Sequence, residues 1–117
     1  MRSVTFPLPP DDLRVNSRVA SHWATLQRSK HGYVAQCWPS AKAAPIAESY
    51  PVALTITAYL GPRQRCDTVD LGTWAKVAID CLVSAGVFAD DDSSHINPVT
   101  LSVVGTDRKH PRLEVAW

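Results

Sequence analysis

Apolar and polar residues alternate most cleanly over residues 52–60. There Val52, Leu54, Ile56, Ala58 and Leu60 are interleaved with Ala53, Thr55, Thr57 and Tyr59. Period two with β-branched residues predicts a strand with one buried face, ended by Gly61-Pro62. Three shorter alternations predict further strands: Val4, Phe6 and Leu8 ahead of Pro9-Pro10; Val99, Leu101 and Val103; and Leu113, Val115 and Trp117. The last two are separated only by the turn-like stretch Gly105 to Pro111, so an antiparallel hairpin is expected there.

Elsewhere the period lengthens. From Leu26 to about Ala44, the residues Tyr33, Val34, Cys37, Trp38 and Ala41 recur at three- and four-residue steps, which predicts a helix kinked or restarted at Pro39. A second helix is expected from about Leu71 to Ala85, with Leu71, Ala75, Ala78, Ile79 and Leu82 on one face and Gly86 as its stop. Residues 11–25 carry no steady period and read as a loop with helical turns. Residues 89–98 read as a polar loop. The order strand, helix, strand, helix, strand, strand predicts a small α+β fold, one mixed sheet with helices packed on one face.

The 117 residues suit a single domain spanning 1–117, with a core modest enough that a homodimer is expected to add buried surface. No apolar run is long enough to span a bilayer and no signal-like segment opens the chain, so a cytoplasmic protein without a membrane partner is expected. Cys37, Cys66 and Cys81 are odd in number and form no close pair, which reads as free thiols in a reducing compartment.

Net charge is +1, but it is unevenly spread. Residues 1–65 carry a net +5, residues 66–92 a net −5 and residues 93–117 a net +1. An acidic centre between basic flanks suits chemistry in which carboxylates hold cations and the flanks hold phosphates; a patchy solvated surface is the plainer reading.

The acidic residues fall in two groups. Asp67 and Asp70 lie between a strand end and a helix start, and Asp90, Asp91 and Asp92 follow the helix end. Two or three converging carboxylates suffice for magnesium, which then activates water and stabilises charge on a phosphate. The intervening helix is ~22 Å long. The groups can therefore share an ion only if the loop after Gly86 folds back along the helix, or if a second subunit supplies one of them. The alternatives are an N-cap or first-turn acid for Asp70, a solvated turn for Asp90–Asp92, and an i,i+4 ion pair for Lys76 and Asp80. His95, just past the acidic run, is either a metal or proton ligand or a surface histidine.

The run Asp67-Thr68-Val69-Asp70-Leu71-Gly72-Thr73-Trp74-Ala75-Lys76, continuing through Asp80-Cys81-Leu82 and Ala85-Gly86 to Asp90-Asp91-Asp92-Ser93-Ser94-His95, resembles the core of the RusA family of Holliday junction resolvases. The shared features are an Asp-rich turn, a helix carrying Lys, an Asp-x-Leu, an Ala-Gly and a closing acidic run. Asn16, His22-Trp23 and Arg28 resemble the phage branch more loosely. The resemblance implies an endodeoxyribonuclease that cleaves four-way DNA junctions as a homodimer with Mg2+ or Mn2+ and no small-molecule cofactor. It implies Asp67, Asp70 and Asp91 as metal ligands, with Lys76 beside them at the catalytic site. In this reading Arg63, Arg65, Lys76, Arg108, Lys109 and Arg112 would hold DNA phosphates.

One position departs from the pattern. The family turn usually reads Asp-x-Asp-Asn or a close variant, and the second acidic slot, counted back from Lys76, is here Val69, with Asp70 where Asn usually stands. A second register, matching members with a shorter turn, makes Asp70 the first ligand and puts Gly72 in the second slot. Either Asp70 supplies the missing ligand, or the chain binds branched DNA with an impaired site. Without the resemblance, a small non-enzymatic interaction module remains.

Overall fold

The five inward residues of the 52–60 alternation are all buried, and they form the spine of the molecule. The computed structural model describes residues 2–10 and 23–117, arranged as β1 (Ser3–Phe6), α1 (Trp23–Ala43), β2 (Val52–Leu60), α2 (Thr68–Ser84), β3 (Ile96–Thr106) and β4 (Arg112–Ala116). The strands make one mixed sheet in the order β1-β4-β2-β3, so the chain is α+β as expected. Asn16, His22 and most of the loop expected over 11–25 lie outside the described residues, while Trp23–Thr25 already belong to α1.

The expected hairpin of the last two strands does not form. β3 pairs with β2 in parallel, and β4 pairs antiparallel with both β2 and β1, so β2 lies between β3 and β4. Burial explains the choice. Leu113 and Val115 of β4 are fully buried, and a central position covers them on both sides, whereas β3 is mostly exposed and tolerates the sheet edge. Residues 107–111 cross the end of β2, where the Asp107 N–H donates to the Leu60 carbonyl at 2.8 Å. The crossing spans two strand spacings, ~9.5 Å, an easy reach for such a link.

Cross-strand register places Val4, Val115 and Ile56 in one row and Phe6, Leu113 and Ala58 in the next. Both rows are buried, and both helices join the same core cluster. The opposite face carries Thr5, Thr55, Thr57, Glu114, Arg112 and Tyr59, and it is polar and at least partly open. Val4 and Phe6 are thus enclosed in the chain's own core, and their side chains are not available to a second copy.

α1 presents Tyr33, Cys37 and Ala41 inward at four-residue steps. Trp38 falls off this stripe and is exposed, with the Lys42 ammonium 5.6 Å from its ring centre. Of the two expectations at Pro39, a restarted helix is absent, because α1 runs through it as one element. Pro39 and Ala35, whose carbonyl loses its helical partner there, are both exposed, so water can satisfy that carbonyl. The Tyr33 hydroxyl donates to the Pro7 carbonyl at 2.6 Å and ties the helix to the segment after β1. Burial pushes the Tyr33 pKa up.

α2 begins earlier than its apolar stripe suggests, because Asp67 caps it. It ends in a Schellman motif: Gly86, at φ 85°, donates its N–H to the Val83 carbonyl, and Val87 donates to Leu82. Val87 and Phe88 then plunge into the core and anchor the acidic loop that follows.

β3 is longer than the Val99–Val103 alternation, because parallel pairing with β2 carries it from Ile96 to Thr106. The three cysteines form no disulfide, as expected. No helix among the described residues is long and apolar enough to cross a membrane.

Candidate functional site

The carboxyl ends of the parallel strands β2 and β3 and the start of α2 meet at one end of the sheet. Gly61 ends β2, and its N–H is bonded to the Gln64 side-chain carbonyl, while the Gln64 N–H returns to the Gly61 carbonyl at 3.2 Å. A Cβ on Gly61 would lie 2.6 Å from that Gln64 oxygen, so a larger residue here would displace the Gln64 side chain from its bond. Asp67 then caps α2, and its Oδ1 accepts the Asp70 N–H at 2.8 Å. Asp70 stands in the first helical turn and is, among the described residues, the one charged side chain that is buried. Asp67 and Asp70 line a cavity of about 490 Å³ with Leu60, Gln64, Arg65 and Cys66. The cap is therefore Asp67, and Asp70 is the first-turn acid that the plainer reading expects, facing the same cavity.

Farther along α2, an outward face carries Val69, Thr73, Lys76 and Asp80 at three- and four-residue steps. Lys76 Nζ lies 3.0 Å from Asp80 Oδ1, the i,i+4 pair expected from spacing, and 2.6 Å from Asp91 Oδ2. The loop after Gly86 therefore folds back along α2 as far as its midpoint. The Lys76 ammonium holds the Asp91 carboxyl below its ordinary range, and the Asp91 and Asp80 carboxylates raise the Lys76 pKa in return.

The rest of this loop is closely hydrogen-bonded. Asp90 Oδ1 accepts the Asp91 N–H at 2.7 Å. The Tyr50 hydroxyl accepts the Ala89 N–H at 2.9 Å, and the Tyr50 ring meets His95 edge-on at 4.8 Å between centres. Asp92 Oδ1 takes the Ser94 hydroxyl at 2.6 Å and contacts His95 Nδ1 at 2.6 Å. The Ser94 hydroxyl, followed by His95, brings the Asp92 carboxyl down to about 2. Asp90, Asp92 and His95 each place one ligand atom within 4.8 Å of the others, a spacing that a metal ion can span. They are the one such group of three among the described residues.

Asp67, Asp70 and Asp91 do not gather in the same way. Asp91 sits at Lys76, and Asp70 lies six residues earlier on α2, ~9 Å of helical rise away. Within this chain the fold-back of the loop covers part of the distance between the two acidic groups.

The basic residues divide clearly. Arg63 and Arg108, with Pro62 and Thr106, line a cavity of about 720 Å³. Arg65 borders the cavity of Asp67 and Asp70. These three arginines and Lys109 are exposed, and their side chains pair with no carboxylate among the described residues. Arg112 differs, because it bonds Glu114 and Asp107, each at 2.8 Å, and lies 3.9 Å over the Tyr59 ring. Both carboxylates, Glu114 first, raise the Arg112 pKa. Arg112 braces β4, and its charge is neutralised internally.

Tyr50 escaped the sequence reading, and Ser94 entered it only as a member of the closing run. Tyr50 is 39 residues from its partner Ala89, and no periodicity connects them. The Asp-x-Ser pattern ahead of His95 was the available sign of the local turn. Set against known proteins, the chain matches no protein-family model, and no curated protein matches its sequence.

Proposed function

We propose that the chain is a magnesium-dependent endodeoxyribonuclease of the RusA type that nicks four-way DNA junctions as a homodimer. The observation that supports this reading most is the 2.6 Å contact of Asp91 with Lys76. It carries the closing acidic run onto the helix that starts with Asp67 and Asp70, as the resemblance requires. Asp67 and Asp70 share a cavity open to solvent, and Asp91 lies on an exposed ion pair that a cation can compete for. These three are the carboxylates that would hold Mg2+, or Mn2+ in its place. The ion would supply Lewis-acid stabilisation of the phosphate and activation of the attacking water. Lys76, freed from Asp91 when the ion binds, would turn its ammonium to a non-bridging phosphate oxygen. Arg63, Arg65, Arg108 and Lys109 would hold the flanking backbone, and junction shape would set specificity. β3, an outer strand with no charged residue and with Val99, Val103 and Val104 exposed, is the edge offered to a second copy.

A second reading, a branched-DNA binder with an impaired site, is favoured by two observations. The side chain in the second acidic slot is Val69, which is 64% exposed on the Lys76 face. Asp67 and Asp70 also remain apart from Asp91. One experiment separates the readings. A synthetic four-way junction is incubated with the protein in Mg2+, Mn2+ or EDTA, alongside V69D and G72D. The nuclease reading expects paired nicks in either metal and none in EDTA. Junction binding without nicking, with nicking gained in V69D or G72D, establishes the impaired site and its register. Val69 faces solvent, and the Cβ of a residue at position 72 meets only Leu101 Cδ1, at 3.9 Å. Neither binding nor nicking at low salt would refute both.

A further inference from the structure

We infer that Arg63 and Arg108 form a two-guanidinium clamp for a single phosphate group. The clamp deepens the nuclease reading and rests on it only for naming DNA as the source of that phosphate. The two side chains come from different loops, one after β2 and one after β3, yet they border one cavity of about 720 Å³ at the carboxyl ends of two parallel strands. Ligands of open sheets with parallel strands commonly bind outside such ends.

Charge makes the cavity a receptor for anions. Its lining is Pro62, Arg63, Thr106 and Arg108, with no carboxylate. The acid next in sequence to Arg108, Asp107, is turned elsewhere. Its Oδ2 accepts from Arg112 at 2.8 Å, and its Oδ1 accepts the backbone N–H groups of Lys109 and His110, each at 3.2 Å. Arg112 and the N–H groups of the turn thus occupy both oxygens of Asp107. Two like charges facing one cavity repel until an anion lies between them, and the planar guanidinium fork matches phosphate oxygens. Thr106, on the same lining, carries a hydroxyl and no charge that would oppose an anion.

The backbone supports the same assignment. Arg63 has a φ of 62°, a left-handed conformation that side chains other than Asn, Asp and Gly rarely adopt. The hydrogen bonds between Gln64 and Gly61 close the turn around it. A turn that needed only this backbone would be served better by glycine, so an arginine here indicates a use for its side chain. The same loop carries Arg65 to the cavity of Asp67 and Asp70. A DNA strand with one phosphate at those carboxylates would therefore run toward the clamp.

The test measures fluorescence anisotropy of a labelled DNA duplex in EDTA from 50 to 200 mM KCl, for wild type, R63G, R108A, the double variant and K42A. Glycine at 63 accepts the positive φ, and circular dichroism checks that each variant is folded. Because both arms hold one phosphate, the double variant is expected to make the slope of log K against log salt shallower by about one and to weaken binding about eightfold at 0.1 M salt, each single variant giving part of that loss. A loss of about two would place the arginines on separate phosphates and overturn the clamp. K42A, a charge on the far helix, should leave the slope nearly unchanged. R63K/R108K keeps the charges and should keep the slope. A second arm titrates inorganic phosphate and follows the Thr106 and Arg108 amides by NMR. Saturable shifts lost in the double variant, with the DNA slope unaltered, assign the clamp to free phosphate. A double variant that changes neither the slope nor the phosphate shifts overturns the clamp. Loss of slope in the double variant, with a wild type that never nicks, leaves the clamp standing and removes the nuclease reading. Nicking by the wild type, with slope and phosphate shifts both unaltered in the double variant, does the reverse.

Discussion

Phe88 should be the residue on which the acidic loop depends most. It is fully buried two positions ahead of Asp90, and its ring meets Trp117 edge-on at 5.1 Å between centres. A phenylalanine buries ~200 Å² of apolar surface, which at ~25 cal/mol per Å² is about 5 kcal/mol against an extended chain. A more compact unfolded ensemble lowers this, and the methyl left by F88A retains part of it. The cavity left behind and the lost aromatic pair add to the loss, whereas Trp117 is only half-buried and can lean into the space. The expected cost of F88A is therefore about 3–4 kcal/mol, a large share of a typical total of 5–15 kcal/mol. At ~3–5 °C per kcal/mol for a chain of this size, the melting midpoint should fall by roughly 10–20 °C. F88L keeps most of the volume and should cost about 1 kcal/mol. Urea unfolding followed by tryptophan fluorescence measures both. The loop should respond too, with the Asp91 carboxyl carbon moving toward its ordinary chemical shift as the contact with Lys76 loosens. An F88A cost below about 1.5 kcal/mol, or an unmoved Asp91 signal, would refute the idea that this ring anchors the loop.

Other expectations follow from single contacts. Y33F removes the hydroxyl that bonds the Pro7 carbonyl and should cost about 1 kcal/mol in chemical denaturation; no change would mean that water replaces the bond. Burial pushes the Cys37 thiol up to about 12 and raises that of Cys81, so a thiol reagent should label Cys66 alone in the native protein and all three cysteines in urea. Arg112 holds the Asp107 carboxyl below its ordinary value of 3.8. Its ionised form is therefore favoured by folding. That contribution is full above pH 3.8 and is lost as pH falls through the depressed value, and an NMR titration should show R112A moving Asp107 back up.

Much of the fold is legible along the chain because its period is set locally. The alternation of residues 52–60 became β2 without a shift in its ends, and the apolar stripe of residues 71–85 became α2, closed by Gly86. The helix start was harder to place, because Asp67 caps α2 with a side-chain bond that apolar spacing does not report. The acidic run, Lys76 and four of the basic residues were visible by type and position. Their pairings were visible only where the spacing was helical, as for Lys76 and Asp80.

Tertiary structure decided what depends on distance across the chain. β4 moved between β1 and β2 because Leu113 and Val115 needed cover on both sides, a demand that a short turn after β3 cannot disclose. Asp91 docked on Lys76, fifteen residues away, because Val87 and Phe88 are drawn into the core and turn the loop back. Arg112 was taken from the basic set by Asp107 and Glu114, which left Arg63 and Arg108 facing a shared cavity. Local periodicity determines elements because neighbours along a chain are held by covalent geometry. Charge pairing and strand order are determined only when burial chooses which distant residues become neighbours.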